Sequence, residues 1–311
     1  MKLFFDQFFN GVGQGVVYAS VALALVIIYR TTGLLNFAQG EMALFSTFLA
    51  WKLTEARDQV GGGRTGGGGL LLHGLGVVPA VILAFVISFI GGAVIERVLI
   101  RPVEGSKSPL NVVIVTLGMF LGINALAALI FIKPGQEAAQ IPLLFASGKT
   151  LGIETQTIGR AGILVAECVL LYLLLQRTKL GLSLRAVASS PDSAKLVGIN
   201  PGVMLMVGWA IAAAIGSVAG VLTASQGTGS FDPSLMQQVL VYSFAAAALG
   251  GFDSLLGAVV GGLVVGVARS LTIQYVHALE GIELVVPFGL ILVVLLVRPN
   301  GLFGRNVVER V

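Results

Sequence analysis

Residues 8–29 read FFNGVGQGVVYASVALALVIIY, without a charged side chain, and this stretch decides the fold class. It is long enough to carry a helix across the hydrocarbon layer of a bilayer, which takes about 20 residues. An Ala22-Leu23-Ala24 triplet imitates a leader-cleavage site behind Lys2, yet apolar sequence continues well past it, so the stretch reads as a retained first span. Further spans are expected at 77–95, 112–132, 162–175, 203–224, 255–275 and 284–297. Two shorter segments, 36–53 and 237–249, read as tilted spans or as broken, re-entrant helices. Non-helical backbone at membrane depth is tolerated only where protein buries it or where it lines a cavity. Asn36, Gln39, Gly40 and Glu41 in the first segment, with Gln237 and Gln238 in the second, are therefore candidate walls of a pathway. The expected fold is an all-α polytopic transmembrane helical bundle of about eight or nine crossings, formed by 1–311 as a single domain.

Composition agrees. Hydrophobic residues make up 56% of the 311 and charged residues 11%, about half the share in soluble domains, too little for a water-facing surface of ordinary size. The net charge of +4 is dispersed and no basic run interleaves with aromatics, which excludes nucleic acid as a partner and leaves membrane lipid as the surroundings. Cys168 is the only cysteine, so neither an intrachain disulfide nor a multi-thiolate metal site is available. No metal and no cofactor are expected.

One polar island interrupts the apolar pattern: RTKLGLSLRAVASSPDSAKLVGINP at 177–201. Ser190 is placed to N-cap a short helix, with Pro191 at its first position, Asp192 at the positive end of the dipole, Lys195 near the other end and Gly198 to terminate it. Such a helix is too short to stand alone in water and needs packing. Upstream, Leu184, Val187 and Ala188 share one face of a second short helix, and Pro191 forces a break between the two. With nine crossings, placing this island inside the cell gives the inner segments more Lys and Arg than the outer ones, Arg97, Arg101, Arg177, Lys179 and Arg298 among them. The island is expected in the cytoplasm, as an ordinary connector or a docking knob. Residues 54–74, with the run GGGRTGGGG, read as a flexible glycine-rich external loop. Small residues four apart at Gly11/Gly15, Gly118/Gly122, Gly216/Gly220, Gly257/Gly261 and Gly262/Gly266 predict close helix contacts.

Chemistry is largely excluded. Ser147-Gly148-Lys149-Thr150 resembles the end of a phosphate-binding loop, but the first glycine that the loop needs is absent, since Leu143 and Leu144 stand there, and no strand precedes it. His73 and His277 fall in expected loops, and neither a Gly-x-Ser-x-Gly nor a His-Glu-x-x-His pattern occurs, so no catalytic residues are assigned. Energy for pumping would come from an ion gradient or a separate ATPase. Glu41, Glu167 and Arg269 are the ionisable groups within spans, no two in one segment, and Glu41 lies in the suspected broken one. Thr116 and Asn124 fall eight residues apart on roughly one face of the fourth segment and complete the candidate translocation path of Asn36, Gln39, Glu41, Thr116 and Asn124. A gradient-driven secondary transporter of small polar solutes is the rival from another class.

Four motifs, taken together and in order, bring in a family. YASVALALVIIYRTTGLLNFAQGEMAL, LGLSLRAVASSPDSAKLVGINPGVM, GGFDSLLGAVVGGLVVG and the terminal RPNGLFG resemble the LivH-type permease subunits of bacterial branched-chain amino-acid ABC importers. The resemblance implies a multi-pass subunit of the inner membrane that moves amino acids inward. Its implied partners are a LivM-like second permease subunit, two cytoplasmic ATP-binding subunits and a periplasmic substrate-binding protein. It also implies that the cytoplasmic loop carries a coupling helix, whose ATPase-contacting residues here would be Arg185, Ala186, Pro191, Asp192, Ala194, Lys195, Gly198 and Asn200. The chain departs from the family at Gln39, where histidine is frequent, at Ser46, Thr47 and Phe48, and in the glycine-rich loop. Related permeases serve urea and short amides, and those departures keep such cargo as the alternative.

Overall fold

The computed structural model describes residues 2–60, 76–104, 110–133, 138–145, 148–150, 153–276, 282 and 284–304. The glycine-rich run, His73 and His277 lie outside them. Helices dominate: α1 (Lys2–Thr32), α2 (Gln39–Val60), α3 (Val77–Ile95), α4 (Arg101–Glu104), α5 (Leu110–Phe131), α6 (Thr155–Arg177), α7 (Lys179–Ser189), α8 (Pro191–Leu196), α9 (Pro201–Ala224), α10 (Leu235–Gly250), α11 (Leu255–Tyr275) and α12 (Val285–Val297). Among the described residues, six helical stretches are long and apolar enough to cross a membrane: Leu3–Thr32, Val77–Val103, Leu110–Phe131, Thr155–Arg177, Pro201–Ala224 and Leu255–Tyr275. Leu235–Gly250 and Val285–Val297 are shorter apolar helices. The two doubtful segments are continuous helices inside, and the irregular backbone precedes each. Residues 33–38 are non-helical before α2, and residues 225–234 carry turns and the two-residue strand Ser230–Phe231 before α10.

The chain divides into two compact units: Met1–Leu35 with Ser147–Gly208 and Val239–Val311, and Asn36–Ala146 with Trp209–Gln238. In the first, α1 packs along α11 at a distance that only glycine permits. A Cβ on Gly11 would stand 2.6 Å from the Val267 Cα, and one on Gly262 would stand 2.6 Å from the Ala19 Cα. Gly257 and Gly261 meet α10 in the same way, at Gly250 and Ala246. On another side of α1 runs α6, whose buried stripe of Thr157, Arg160, Leu164, Glu167 and Leu171 recurs at helical spacing. Arg160 Nη1 donates to the Gly13 carbonyl at 3.3 Å, and Ser20 Oγ donates to Glu167 Oε2 at 2.7 Å. The two helices therefore run side by side in one direction. Two of the quoted motifs meet at the end of α10, where the amides of Leu302 and Phe303 donate to the Leu249 and Gly250 carbonyls at 2.9 and 3.0 Å. Gly251 and Gly301, at φ +97° and +81°, make that corner.

In the second unit, Ala80, Ala84, Ser88 and Gly92 form a small-residue stripe on α3. A Cβ on Gly92 would stand 2.6 Å from the Trp209 carbonyl oxygen, which is how closely α9 approaches. Gly216 and Gly220 admit α2 to the other contact: a Cβ on Gly216 would be 2.7 Å from Gln39 Nε2, and one on Gly220 would be 2.7 Å from the Ala43 carbonyl oxygen. Phe48 stacks on Phe131 with centroids 5.6 Å apart and tilts against Phe231 at 4.9 Å. Phe231 belongs to the strand that pairs antiparallel with Ala139–Gln140. Gly118 and Gly122 differ from the other pairs, because a Cβ at either meets nothing within 4 Å.

Candidate translocation and coupling sites

Both candidate sites grow out of helix starts. In the second unit, Asn36 opens α2. Its Oδ1 accepts from the Ala38 amide at 3.0 Å, an Asx turn that satisfies a donor the helix leaves over. Its Nδ2 donates to Gln39 Oε1 at 3.3 Å, and Gln39 Nε2 in turn donates to the Ala212 carbonyl of α9 at 2.9 Å. The space vacated at Gly216 is what lets that amide lie between the helices. Glu41 lies in the first turn of the same helix, where a carboxylate complements the positive end of the dipole. It is 0% exposed. Asn124 Nδ2 of α5 donates both to Glu41 Oε2 at 2.9 Å and to the Pro233 carbonyl at 2.8 Å. Glu41 Oε1 has no hydrogen-bond partner.

The structure thus makes two polar contacts at the start of α2, one between the buried Asn36 and Gln39 and one between the buried Glu41 and the half-buried Asn124. Thr116 joins neither. Its hydroxyl is buried and bonds back to the Val113 carbonyl of its own helix at 3.0 Å. The Pro233 carbonyl was not legible beforehand, since a backbone acceptor carries no residue-type signal. An oxygen left without a donor inside a protein is costly for a carboxylate, and such groups mark places where charge or a polar cargo is handled.

In the first unit, the polar island folds as two consecutive capped helices. Thr178 Oγ1 accepts from the Gly181 amide at 3.0 Å to start α7, and Ser190 Oγ accepts from the Ser193 amide at 3.3 Å to start α8. Pro191 takes the first position of α8, and Gly198, at φ +82°, ends it, with the Ile199 amide returning to the Ala194 carbonyl. Asp192 and Lys195 pair at 3.2 Å on an exposed face. Leu184 and Val187 are buried beneath α7 as their shared face predicts, whereas Ala188 is exposed. A Cβ on Gly181 would stand 2.5 Å from the Leu175 Cα, so α7 is seated directly on the end of α6.

The expected contact residues separate into two groups. Pro191, Asp192, Lys195, Gly198 and Asn200 are exposed and Ala186 is half-buried. Ala194, 2% exposed, belongs to the loop's own packing. Arg185 turns back: its Nη1 donates to Gln176 Oε1 at 2.9 Å and its Nε to the Gly181 carbonyl at 3.4 Å. Asn200 Oδ1 accepts from the Val203 amide and caps α9. Sequence reasoning missed Leu196 and Val197, 89% and 73% exposed beside Asp192 and Lys195. The signal was present, as two apolar side chains just before a helix-ending glycine within a polar stretch.

Among the described residues, six spans and two shorter apolar helices, with buried polar contacts at the start of α2 and a capped loop seated on a span, define a multi-pass membrane transport protein of the permease kind. A family profile described as "Branched-chain amino acid transport system / permease component" matches residues 7–295, and the chain belongs to that family. It is 32% identical over 318 residues to the high-affinity branched-chain amino acid transport system permease protein LivH of Escherichia coli (strain K12), covering 99% of this chain and 98% of the relative. It is 30% identical over 321 residues to the corresponding protein BraD of Pseudomonas aeruginosa, at the same coverage. The probable branched-chain amino acid transport permease protein LivH of Methanocaldococcus jannaschii is 25% identical over 302 residues, 93% of this chain and 90% of that one.

Proposed function

We propose that this chain is the membrane permease subunit of an ABC importer in a bacterial inner membrane, admitting branched-chain amino acids under power supplied by separate ATPases. The observation that carries the reading is the α7–α8 loop. A six-residue helix capped at both ends, too short to be stable alone, presents Leu196 and Val197 to the outside while its other face holds Ala194. Exposed aliphatic side chains at a rigid helix end are anchors for a groove on another protein. The partner is a cytoplasmic ATP-binding subunit, one of two, and the positive-inside bias supports the loop's position on that side. The same assembly includes a LivM-like permease subunit and a periplasmic binding protein that selects the cargo. The chain itself binds no nucleotide and turns over no bond.

Force reaches the spans through packing. Movement of α8 is delivered to α7 across the Ser190–Pro191 break and to α6 through the contact at Gly181. Cargo passes along a path that includes Asn36, Gln39, Glu41 and Asn124, where the carboxylate suits the ammonium of an amino acid. The test is Leu196→Asp in the assembled importer. Uptake is expected to fall on the order of tenfold, with the ATPase subunits binding more weakly. Uptake at the parental rate with ATPase subunits fully co-purifying sinks the docking assignment.

A further inference from the structure

The first unit holds a cavity of about 350 Å³ between α1, α6, α7 and the start of α11, lined by none of Asn36, Gln39, Glu41 and Asn124. Its lining is graded. Leu23 and Ile27 of α1 and Cys168 and Leu171 of α6 form one end, whereas Arg30, Gln176, Arg185 and Asp253 form the other. The parallel register set by the Gly13–Arg160 and Ser20–Glu167 contacts keeps the two walls in step. From Leu23 to Thr31, and from Cys168 to Gln176, each wall advances about 12 Å at 1.5 Å per residue. Tyr172 and Leu256, both largely exposed, stand at its open side.

A ligand filling this space carries a charged head and an apolar stem of about 12 Å. A small zwitterion is too short to span the gradient. Two guanidiniums against one carboxylate leave a single positive charge at the polar end, which matches one phosphodiester. Arg30 lies in the last turn of the span α1, and Arg185 lies on α7, which directly follows the span α6, the level at which basic pockets take lipid headgroups. The geometry points to a site for an anionic glycerophospholipid, with its phosphate at Arg30 and Arg185 and one acyl chain along the wall of Leu23, Ile27 and Leu171. Because Leu184 and Arg185 belong to α7, the occupant braces the base on which α8 stands.

That this is the leaflet facing the ATPases rests on the proposed function; lipid retention itself does not, so the two readings fail separately. The experiment is native mass spectrometry of the assembled importer, delipidated and then offered phosphatidylglycerol or phosphatidylcholine. One phosphatidylglycerol per copy of this chain is expected to be retained in preference to phosphatidylcholine. Arg30→Gln with Arg185→Gln is expected to lower its retention on the order of tenfold. Cys168→Trp, which fills the apolar end without changing charge, is expected to do the same. Equal retention of the two lipids by the unmodified protein overturns the proposal, and that comparison stands even where a variant does not fold. Full phosphatidylglycerol retention by either variant overturns it as well. Competition by inorganic phosphate that displaces the lipid completely shows a simple anion site and overturns the acyl-chain assignment.

Discussion

At the α7–α8 loop, Leu196 and Val197 stand bare beside an exposed ion pair, whereas behind α2 the Glu41 carboxylate is buried among apolar helices with one oxygen unsatisfied. The two regions break the ordinary partition of side chains in opposite senses. Exposed aliphatics lower stability little, because their hydration is scarcely changed by folding, and their use comes when another surface covers them. A buried carboxylate costs free energy in the folded chain itself and persists only where neighbouring donors offset part of it. One region therefore leaves apolar surface uncovered, and the other carries a cost inside its own fold.

The comparison can be broken most forcefully at the packing that seats α2. Gly220→Leu drives a side chain into the α2 backbone at Ala43 and into Thr47, and a destabilisation on the order of 3 kcal/mol with loss of transport is expected. Gly118→Leu, where a Cβ meets nothing within 4 Å, is the matched control and is expected to leave thermal unfolding in detergent unchanged. Next comes Glu41→Leu. Removing a buried carboxylate that is only half satisfied is expected to hold or raise the unfolding midpoint, while uptake falls on the order of tenfold. Glu41→Gln, which keeps an acceptor for Asn124, is expected to retain more uptake than Glu41→Leu. Parental uptake by Glu41→Leu assigns the carboxylate a purely structural part.

At the loop the expected effects act on coupling rather than on folding. Asp192→Lys with Lys195→Glu preserves an ion pair three residues apart and reverses what a partner meets. Membrane insertion is expected to be normal and ATP-driven uptake to be lost, whereas undiminished uptake separates the loop from the motor. Ser190→Ala is the mildest change. It removes the cap on the Ser193 amide and costs about 1 kcal/mol of local helix stability, and a reduction of uptake no more than about fivefold is expected.

Most of the loop was legible because its signals are local. Ser190, Pro191, Asp192 and Gly198 each act within one turn of helix, and each takes the expected position. The spans were legible for the same reason, since length and hydropathy are properties of contiguous residues. Glu41 could be named as a buried carboxylate in an irregular segment, but its bond to Asn124 joins residues 83 apart in sequence, and no periodicity reports such a meeting. Thr116 shows another limit of spacing arguments. Helical spacing placed it on a face with Asn124, yet a threonine in a helix can return its hydroxyl to its own backbone, and here it does. The resemblance puts Arg185 among the ATPase-contacting residues, and its bond to the side chain of Gln176, nine residues away, is a pairing that no local pattern reports.

The corner where residues 302 and 303 bond to the carbonyls of residues 249 and 250 also has a meaning in time. A ribosome adding about 5–20 residues per second takes roughly 3–10 seconds to travel from one side of that junction to the other. During this interval the end of α10 is finished with water in place of its final donors. Assembly of the first unit thus closes late, and a nascent chain halted between α11 and residue 302 carries every span up to that point but lacks the staple that fixes its last turn.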